Sequence, residues 1–314
     1  MLFIRAIRVI RVIRVPESYN QAVSKWRLTS IGGAICVWGF VVSTAAQPPT
    51  LDEVLKRSAA YVEEFRKQLS GIATEEIYRQ EVIKTERFVN SLLINPTRRL
   101  KSELLLVQPA DSDRYVELRD VFEVDGAPLE NRQGRLEQLL RDPSAGSRIA
   151  AIIAASARYN IGSVTRNINT PLMSLQFLDA TNQRRVEFKH VAKAAPVFPV
   201  KQDQAFNEST VFRVSTEMWN VEFRERGRGT IIRKPDGDDL PARGRFWIDP
   251  SNGSVLISEL TVDGGGVNAT VTVSYQSEPL MGFLVPIEMR ESYLGRGERI
   301  TGHAEYGKFR QISQ

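Results

Sequence analysis

The sequence predicts an α+β fold: a strongly curved antiparallel β-sheet, a half-barrel of about ten strands, wrapped on an N-terminal helix and two or three mid-chain helices. Three observations carry this expectation. From Arg184 to the C-terminus, short segments alternate apolar and polar residues between Gly, Asn and Asp turns. One polar face is the mark of antiparallel strands wet on one side, whereas parallel strands would read as continuous apolar runs. Helical spacing is confined to the start of the chain and to its middle, so the sheet has few elements with which to cover its apolar face.

Thr50 and Glu53 form a capping-box pair that starts the first helix, and Leu51, Val54, Leu55, Ala59, Val62, Phe65 and Leu69 make one apolar stripe. Gly71 is expected to stop it. A long, bulged strand follows over 71–84, then strands over 100–108 and 114–124, where Val116, Leu118, Phe122 and Val124 share a face before the Asp125-Gly126 turn. Helical spacing returns at Leu136, Leu139 and Leu140. A second helix over 147–158 is expected to bury Ile149, Ile152 and Ile153, and a short strand over 163–169 to precede a brief helix at 172–178.

Val186, Phe188, His190 and Ala192 share one face of the next strand; 194–208 reads as a loop, and Val211–Val214 as a brief pairing segment. Trp219, Val221 and Phe223 face inward, and 230–233 continues the strands. The hub is Arg243–Val255, a strand, a turn of Asp249-Pro250 and Asn252-Gly253, and a second strand. Phe246 and Ile248 point to one side, Arg245 and Trp247 outward. Inward sets follow at Leu256, Leu260 and Val262, at Ala269, Val271, Val273 and Tyr275, at Val285, Ile287 and Met289, and at Ile300, Ala304 and Tyr306.

The net charge of +5 would suggest nucleic acid or an anionic membrane as partner. However, six of the 42 basic residues and one of the 37 acidic residues lie in 1–46, and the remainder is balanced. No nucleic-acid partner is expected. Residues 1–46 read as a secretory signal: Lys25-Trp26-Arg27, an apolar Ile31–Val42, and the small residues Ser43–Ala46. An uncleaved anchor is the alternative, although the apolar run is short for a span. Residues 2–15, with arginine at every third position, read as an extension upstream of the true start; an amphipathic surface helix is the other reading. The body, 47–314, is expected to be a single domain, periplasmic or secreted, and monomeric. Cys36, the one cysteine, lies in the apolar run behind Ile35, which is unsuited to acylation, so disulfides and cysteine–zinc chemistry are excluded from the body.

The order of leading helix, strands, mid-chain helices and closing meander resembles the LolA/LolB superfamily of periplasmic lipoprotein carriers, which includes the N-terminal domain of RseB. Phe246–Val255 is similar to that group's strand–turn–strand, and Val285–Met289 and Tyr306–Arg310 to its last two strands. The resemblance implies a half-barrel whose concave side holds acyl chains. Its lining is expected at Leu172, Met173, Phe177, Trp219, Phe246, Ile248 and Met289. A basic residue that regulates lipid release in carriers of this kind does not align here, so lipid binding, not lipoprotein transport, is the expectation.

No cofactor, metal or catalytic residue is expected. His190 reads as a core histidine, and His303 with Glu305 as a solvated pair whose metal-binding reading lacks a third ligand. No Gly-x-Ser-x-Gly elbow or phosphate loop occurs, and Asp236, Asp238 and Asp239 read as a hairpin tip. Arg224, Arg226, Arg228, Arg233, Arg243 and Arg245 form one outer stripe, neutralised by Glu222, Glu225 and the Asp turn or else facing an anionic partner. The leading reading is an exported, non-enzymatic lipid-binding protein. A sensor or scaffold of RseB type comes second, and a hydrolase using His303 and Glu305 last.

Overall fold

The structure, a computed structural model, describes residues 47–84, 95–107, 115–130, 146–164, 166, 168–192, 218–234, 236–295 and 297–312. Two units are separable, Met1–Gln47 and Pro48–Gln314, and the elements below belong to the second. The leader, the helix expected around Leu136–Leu140, the loop 194–208 and the segment Val211–Val214 lie outside the described residues.

Helix α1 (Leu51–Leu69) begins as its capping box dictates: the Glu53 N–H donates to Thr50 Oγ1 at 3.3 Å and the Thr50 N–H to the Glu53 carboxylate at 2.8 Å. Its buried stripe is Val54, Leu55, Ser58, Val62, Phe65 and Leu69, with Ser58 in place of the expected Ala59. Ser70 caps the end, its N–H donating to Arg66 O at 2.9 Å, and Gly71 is outside the left-handed region. It is therefore not the αL cap that the sequence suggests.

Among the described residues eleven strands follow: β1 (Ile72–Lys84), β2 (Thr97–Val107), β3 (Val116–Val124), β4 (Ala127–Pro128), β5 (Val186–Val191), β6 (Trp219–Glu225), β7 (Ala242–Ile248), β8 (Val255–Gly264), β9 (Val267–Glu278), β10 (Phe283–Gly295) and β11 (Glu298–Gln311). They make one open antiparallel sheet in the order β4-β3-β2-β1-β11-β10-β9-β8-β7-β6-β5. Strands β5 to β11 are a meander, and β11 closes onto β1, so the first and last long strands meet inside the sheet.

One face carries α1 and the 3₁₀ helix Met173–Leu178. Phe65 packs edge-on against Tyr275 and Phe283, with ring centroids 6.1 and 6.5 Å away. Phe177, Phe223 and Phe246 stack in series at 4.8 Å per step. The Tyr275 hydroxyl donates to Pro171 O at 2.5 Å, and Ser174 to Ser258 at 2.6 Å. These two bonds give buried hydroxyls a partner where an unmade bond would be costly.

Four register shifts re-phase strands that strict alternation would keep in step. At β3 the shift skips Phe122, so Val124 opposes Leu100 on the core side while Leu118 stays on the other face opposite Leu105. At β8 Val255 opposes Ile248 and Leu256 is the skipped residue; at β10 Ile287 is skipped and Met289 takes the core position. Trp247 does point away from Phe246, yet it is buried beside Asn220 and Ile257, not solvent-facing.

Helix α2 (Gly146–Ala157) packs along β3 and leaves Ile153 43% exposed, against the burial expected of it; the side chains of Ile149 and Ile152 lie outside the description. The described residues of 163–169 are not strand but irregular backbone with buried Val164, Arg166, Ile168 and Asn169. Likewise 230–233 makes a single bridge, Arg233 to Asp239, in place of a strand.

The turn after β7 is docked on α1. Asp249 accepts from the Ser251 N–H and hydroxyl at 2.8 and 2.6 Å, and Arg57 donates to Pro250 O at 2.6 Å. Gly253 has φ +79°, and a Cβ there would lie 2.4 Å from the Arg57 carbonyl carbon and the Ser58 nitrogen. The contact is with helix backbone, which cannot give way, and it accounts for glycine at 253. Gly253→Ala should therefore destabilise the fold by about 2 kcal/mol or more, combining left-handed strain with the clash. A chemical melt that leaves the midpoint unchanged would rule this out.

Candidate functional site

The seven residues expected to line an open concavity are mostly filled core. Phe177, Phe246, Ile248 and Met289 have no exposed surface, and Met173 and half-buried Trp219 pack against the same core. Trp219 is stacked on His190, centroids 3.8 Å apart and planes 4° from parallel, so His190 is an exposed stacking partner and not a core residue. Of the seven, Leu172 lines the cavity described next.

That cavity has a volume of about 970 Å³ and opens on the sheet face that carries α1. One wall is the last turns of α1, with Glu63, Arg66 and Lys67; a second is the end of the sheet, with Leu106 on β2 and Tyr115, Val116 and Glu117 at the start of β3. Leu172, Gln176 and Asp179 come from the 3₁₀ segment, and Gly229 to Arg233 from the β6–β7 connection, with Arg185 beneath it. Helix periodicity places 63, 66 and 67 on one side, and the direct opposition of Leu106 and Glu117 puts both on one face.

The walls are fixed by charge-assisted bonds. Arg66 pairs with Asp179 at 2.5 Å, tying α1 to the 3₁₀ segment. Although burial pulls the other way, hydrogen bonds from Thr181 and Arg66 hold the Asp179 carboxyl below the usual carboxylate range. The β6–β7 connection hangs on two acids: Asp239 accepts from the Gly229 and Thr230 N–H groups at 3.0 and 2.9 Å, and buried Glu225 from Ile231 and Ala242 at 2.8 and 3.2 Å. Arg185 donates to Gly229 O at 2.7 Å.

Glu117 sits at the floor. Its Oε1 accepts the Leu172 N–H at 3.2 Å, the Thr170 hydroxyl donates to the same carboxyl, and Oε2 is buried with no hydrogen-bond partner among the described residues. Burial pushes the carboxyl up to about 7, against the opposing pull of these bonds and of Arg119.

Behind Glu117 lies an ionic layer that alternation did not reveal. Arg119 makes a bidentate pair with fully buried Glu76 at 2.6 and 2.8 Å and donates to Asn169 O at 2.9 Å. Arg166 pairs with Glu291 at 3.0 Å, both side chains fully buried, and donates to Tyr78 Oη at 2.7 Å, to Ile161 O at 3.2 Å and to Gln80. Tyr78 and Tyr293 both donate to Glu291. Burial holds the Tyr78, Tyr293 and Tyr306 hydroxyls far above the usual tyrosine range, so they remain neutral donors. The one sequence signal for this layer is phase: Glu76 keeps step with Tyr78, and Glu291 with Met289 and Tyr293.

Other candidates are placed elsewhere. His303 Nε2 lies 2.7 Å from Glu288 Oε1 on the face opposite α1, and no group of three or more acidic, His or Cys side chains among the described residues could hold a metal. In the arginine stripe, Arg226 pairs with Glu187 and Arg245 with Glu222, while Glu225 binds backbone instead. Arg224 and Arg243 are exposed and directly opposed. Among the described residues no helix is long and apolar enough to cross a membrane.

Neither a family model nor a curated protein matches the chain. Among solved structures, it is similar to a domain named for outer membrane lipoprotein sorting from Vibrio parahaemolyticus, with 12% identity, 82% of this chain and 93% of that one covered, and a TM-score of 0.34. A lipovitellin whose lipid–protein interactions were described is similar at 10% identity over 78% of this chain and 26% of that one, with a TM-score of 0.23. Likenesses of this size assign neither a family nor a ligand.

Two outcomes are expected of the buried charges. Arg166→Met should cost about 3–5 kcal/mol in chemical denaturation, because Glu291 is left buried and uncompensated, and adding Glu291→Gln should restore part of it; additive losses would refute the pairing. Glu117 favours folding most below about pH 4.5, and its contribution is lost as pH rises through about 7. Between about pH 5 and 8 the parent should therefore lose ~2–3 kcal/mol relative to Glu117→Gln, and parallel stability curves would disprove the shift.

Proposed function

We propose that this chain is an exported, non-enzymatic binding protein of the LolA/LolB kind, and that a lipid or other amphiphile occupies the cleft between α1, the β2–β3 end of the sheet and the Gly229–Arg233 connection. The observation that carries the reading is the cavity itself. About 970 Å³ is at the upper end of the range for small-molecule sites, and its lining divides into an apolar part, Leu106, Val116, Leu172 and Ile231, and a charged part. An amphiphile offers the same division. In this reading the open sheet curls as a half-barrel around α1 and Met173–Leu178, the protein works as a monomer in the periplasm or outside the cell, and no cofactor takes part. Two features of the cleft favour binding over catalysis. The charged side chains that fix its walls, Arg66, Asp179 and Arg185, are engaged in structural bonds, and the lining contains no histidine.

In this reading the ligand occupies a different place from the lining that the sequence suggests. Phe177, Phe246 and Ile248 support the cleft from the core, and Leu172 is the residue common to both descriptions.

Native mass spectrometry and solvent extraction of protein expressed with its leader should recover a bound amphiphile, and Val116→Trp or Ile231→Trp should reduce its occupancy severalfold with the melting temperature kept. Repeated recovery of empty protein that also fails to take up added lipid would overturn the proposal.

A second reading, a sensor or scaffold for an acidic partner, is favoured by one observation: Arg224 and Arg243 oppose each other, exposed, on β6 and β7. Like charges so placed repel unless an anion lies between them. Replacing both by Glu should abolish capture of such a partner, and an unchanged set of captured proteins would remove this reading.

A further inference from the structure

An open sheet has two edges, and each leaves a row of backbone N–H and C=O groups without a ladder partner. One edge here is β4, two residues long and ending in Pro128, which has no N–H to offer. The other is β5, six residues without proline or glycine. Among the described residues no strand pairs with its outer side. The register with β6 fixes which groups point outward. The Arg226 N–H donates to Arg185 O at 2.7 Å, and Val186 lies opposite Glu225, so the bonded positions recur at Glu187–Arg224, Lys189–Glu222 and Val191–Asn220. The N–H and C=O groups of Val186, Phe188 and His190 therefore face away from β6.

The side chains of this edge divide by face. Glu187 and Lys189 are exposed on the face opposite α1, whereas Phe188 is half-buried on the α1 face, opposite Phe223 and packed on the same core. A strand joins such an edge antiparallel only if its own outward-bonding residues meet Val186, Phe188 and His190. For a second copy of β5, two alignments of this kind overlap over most of the strand. One spans Glu187–Val191, is centred on Lys189 and sets two lysines opposite each other. The other spans Val186–His190 and is centred on Phe188. It sets Glu187 of each copy opposite Lys189 of the other, Phe188 against Phe188 and Val186 against His190, and it bonds at one more position. A lysine alone on an edge discourages pairing, but a glutamate two residues away supplies its complement. Glu187 keeps its exposed pair with Arg226, and its carboxylate has acceptor capacity for a second cation.

We propose that β5 is the docking edge for a second copy of this chain, paired antiparallel about Phe188 so that the sheets of two molecules join. The two-fold axis passes through the Phe188 pair, and each copy contributes the same patch. One strand pair is much smaller than a standard interface of about 1,600 Å², so the pairing is weak and reversible. The protein is the monomer of the reading above when dilute and pairs where it is concentrated. The inference makes no use of the cleft.

The test is sedimentation velocity on the protein purified after expression with its leader, at low salt and over concentrations from micromolar to millimolar. The parent should show a monomer–dimer equilibrium within that range. Glu187→Lys and Lys189→Glu should each weaken self-association about tenfold or more, because every Glu–Lys contact across the joint becomes a like-charged one. Both positions are exposed, so circular dichroism should show the fold unchanged. Mixed in equal amounts, the two variants should associate again as a heterodimer, since each lysine once more meets a glutamate; a variant that had merely misfolded would not recover on mixing. A parent that stays monomeric throughout the range would overturn the proposal. A dimer that neither substitution weakens, or weakened variants that mixing does not restore, would overturn β5 as the edge that joins the copies.

Discussion

The irregular segment that precedes the 3₁₀ helix is held to the sheet by two buried guanidinium groups. Arg166, inside the segment, reaches Glu291, Tyr78 and Gln80; Arg119, on the sheet, reaches back to Asn169 O while pairing with Glu76. Backbone without a ladder leaves its own polar groups to be satisfied by side chains, and these arginines do so at Ile161 and Asn169. Because Pro171, Leu172 and Phe177 follow directly, the position of this segment determines how the core is filled and where the cleft floor lies. Desolvating four charged side chains is expensive, so the arrangement is stable only as a complete set of partners.

Among the described residues, one helix, one 3₁₀ turn and an irregular segment lie on the α1 face of the sheet, and they do so with close contacts: Gly253 against the backbone of Arg57 and Ser58, Ser174 against Ser258, the Tyr275 hydroxyl on Pro171. Beyond the end of α1 the sheet runs on to β2 and β3. The cleft occupies that place. A void between packed elements is normally closed by apolar side chains, but here the lining includes Arg66, Lys67, Glu117 and Arg185. That composition suits a ligand with a polar end better than a purely hydrocarbon one.

A good part of this was legible in the residues. The capping box at Thr50 and Glu53 located α1 to the residue, because its chemistry is local. Alternation identified the C-terminal meander, and Asp249-Pro250 with Asn252-Gly253 identified its tightest turn. Alternation failed at the bulges, where one skipped residue transfers every later side chain to the other face, as with Val124, Leu256 and Ile287. It failed again for Arg119, Arg166 and Glu117, since a charged residue between apolar ones is taken as solvent-facing until its partner is known. Those partners are tens to more than a hundred residues away.

What the sequence by itself determined is local and periodic: an amphipathic first helix, an antiparallel sheet, the turns that need Gly, Asn or Asp, and a body of balanced charge. What only the tertiary structure decided is the pairing of β1 with β11, the filling of the expected concavity by Phe177, Phe223 and Phe246, and the position of the open cleft. The physical reason is range. Propensity, capping and alternation act over a few residues, whereas an ion pair between Arg166 and Glu291, or a carboxyl raised by burial as at Glu117, exists only after distant segments have excluded water together.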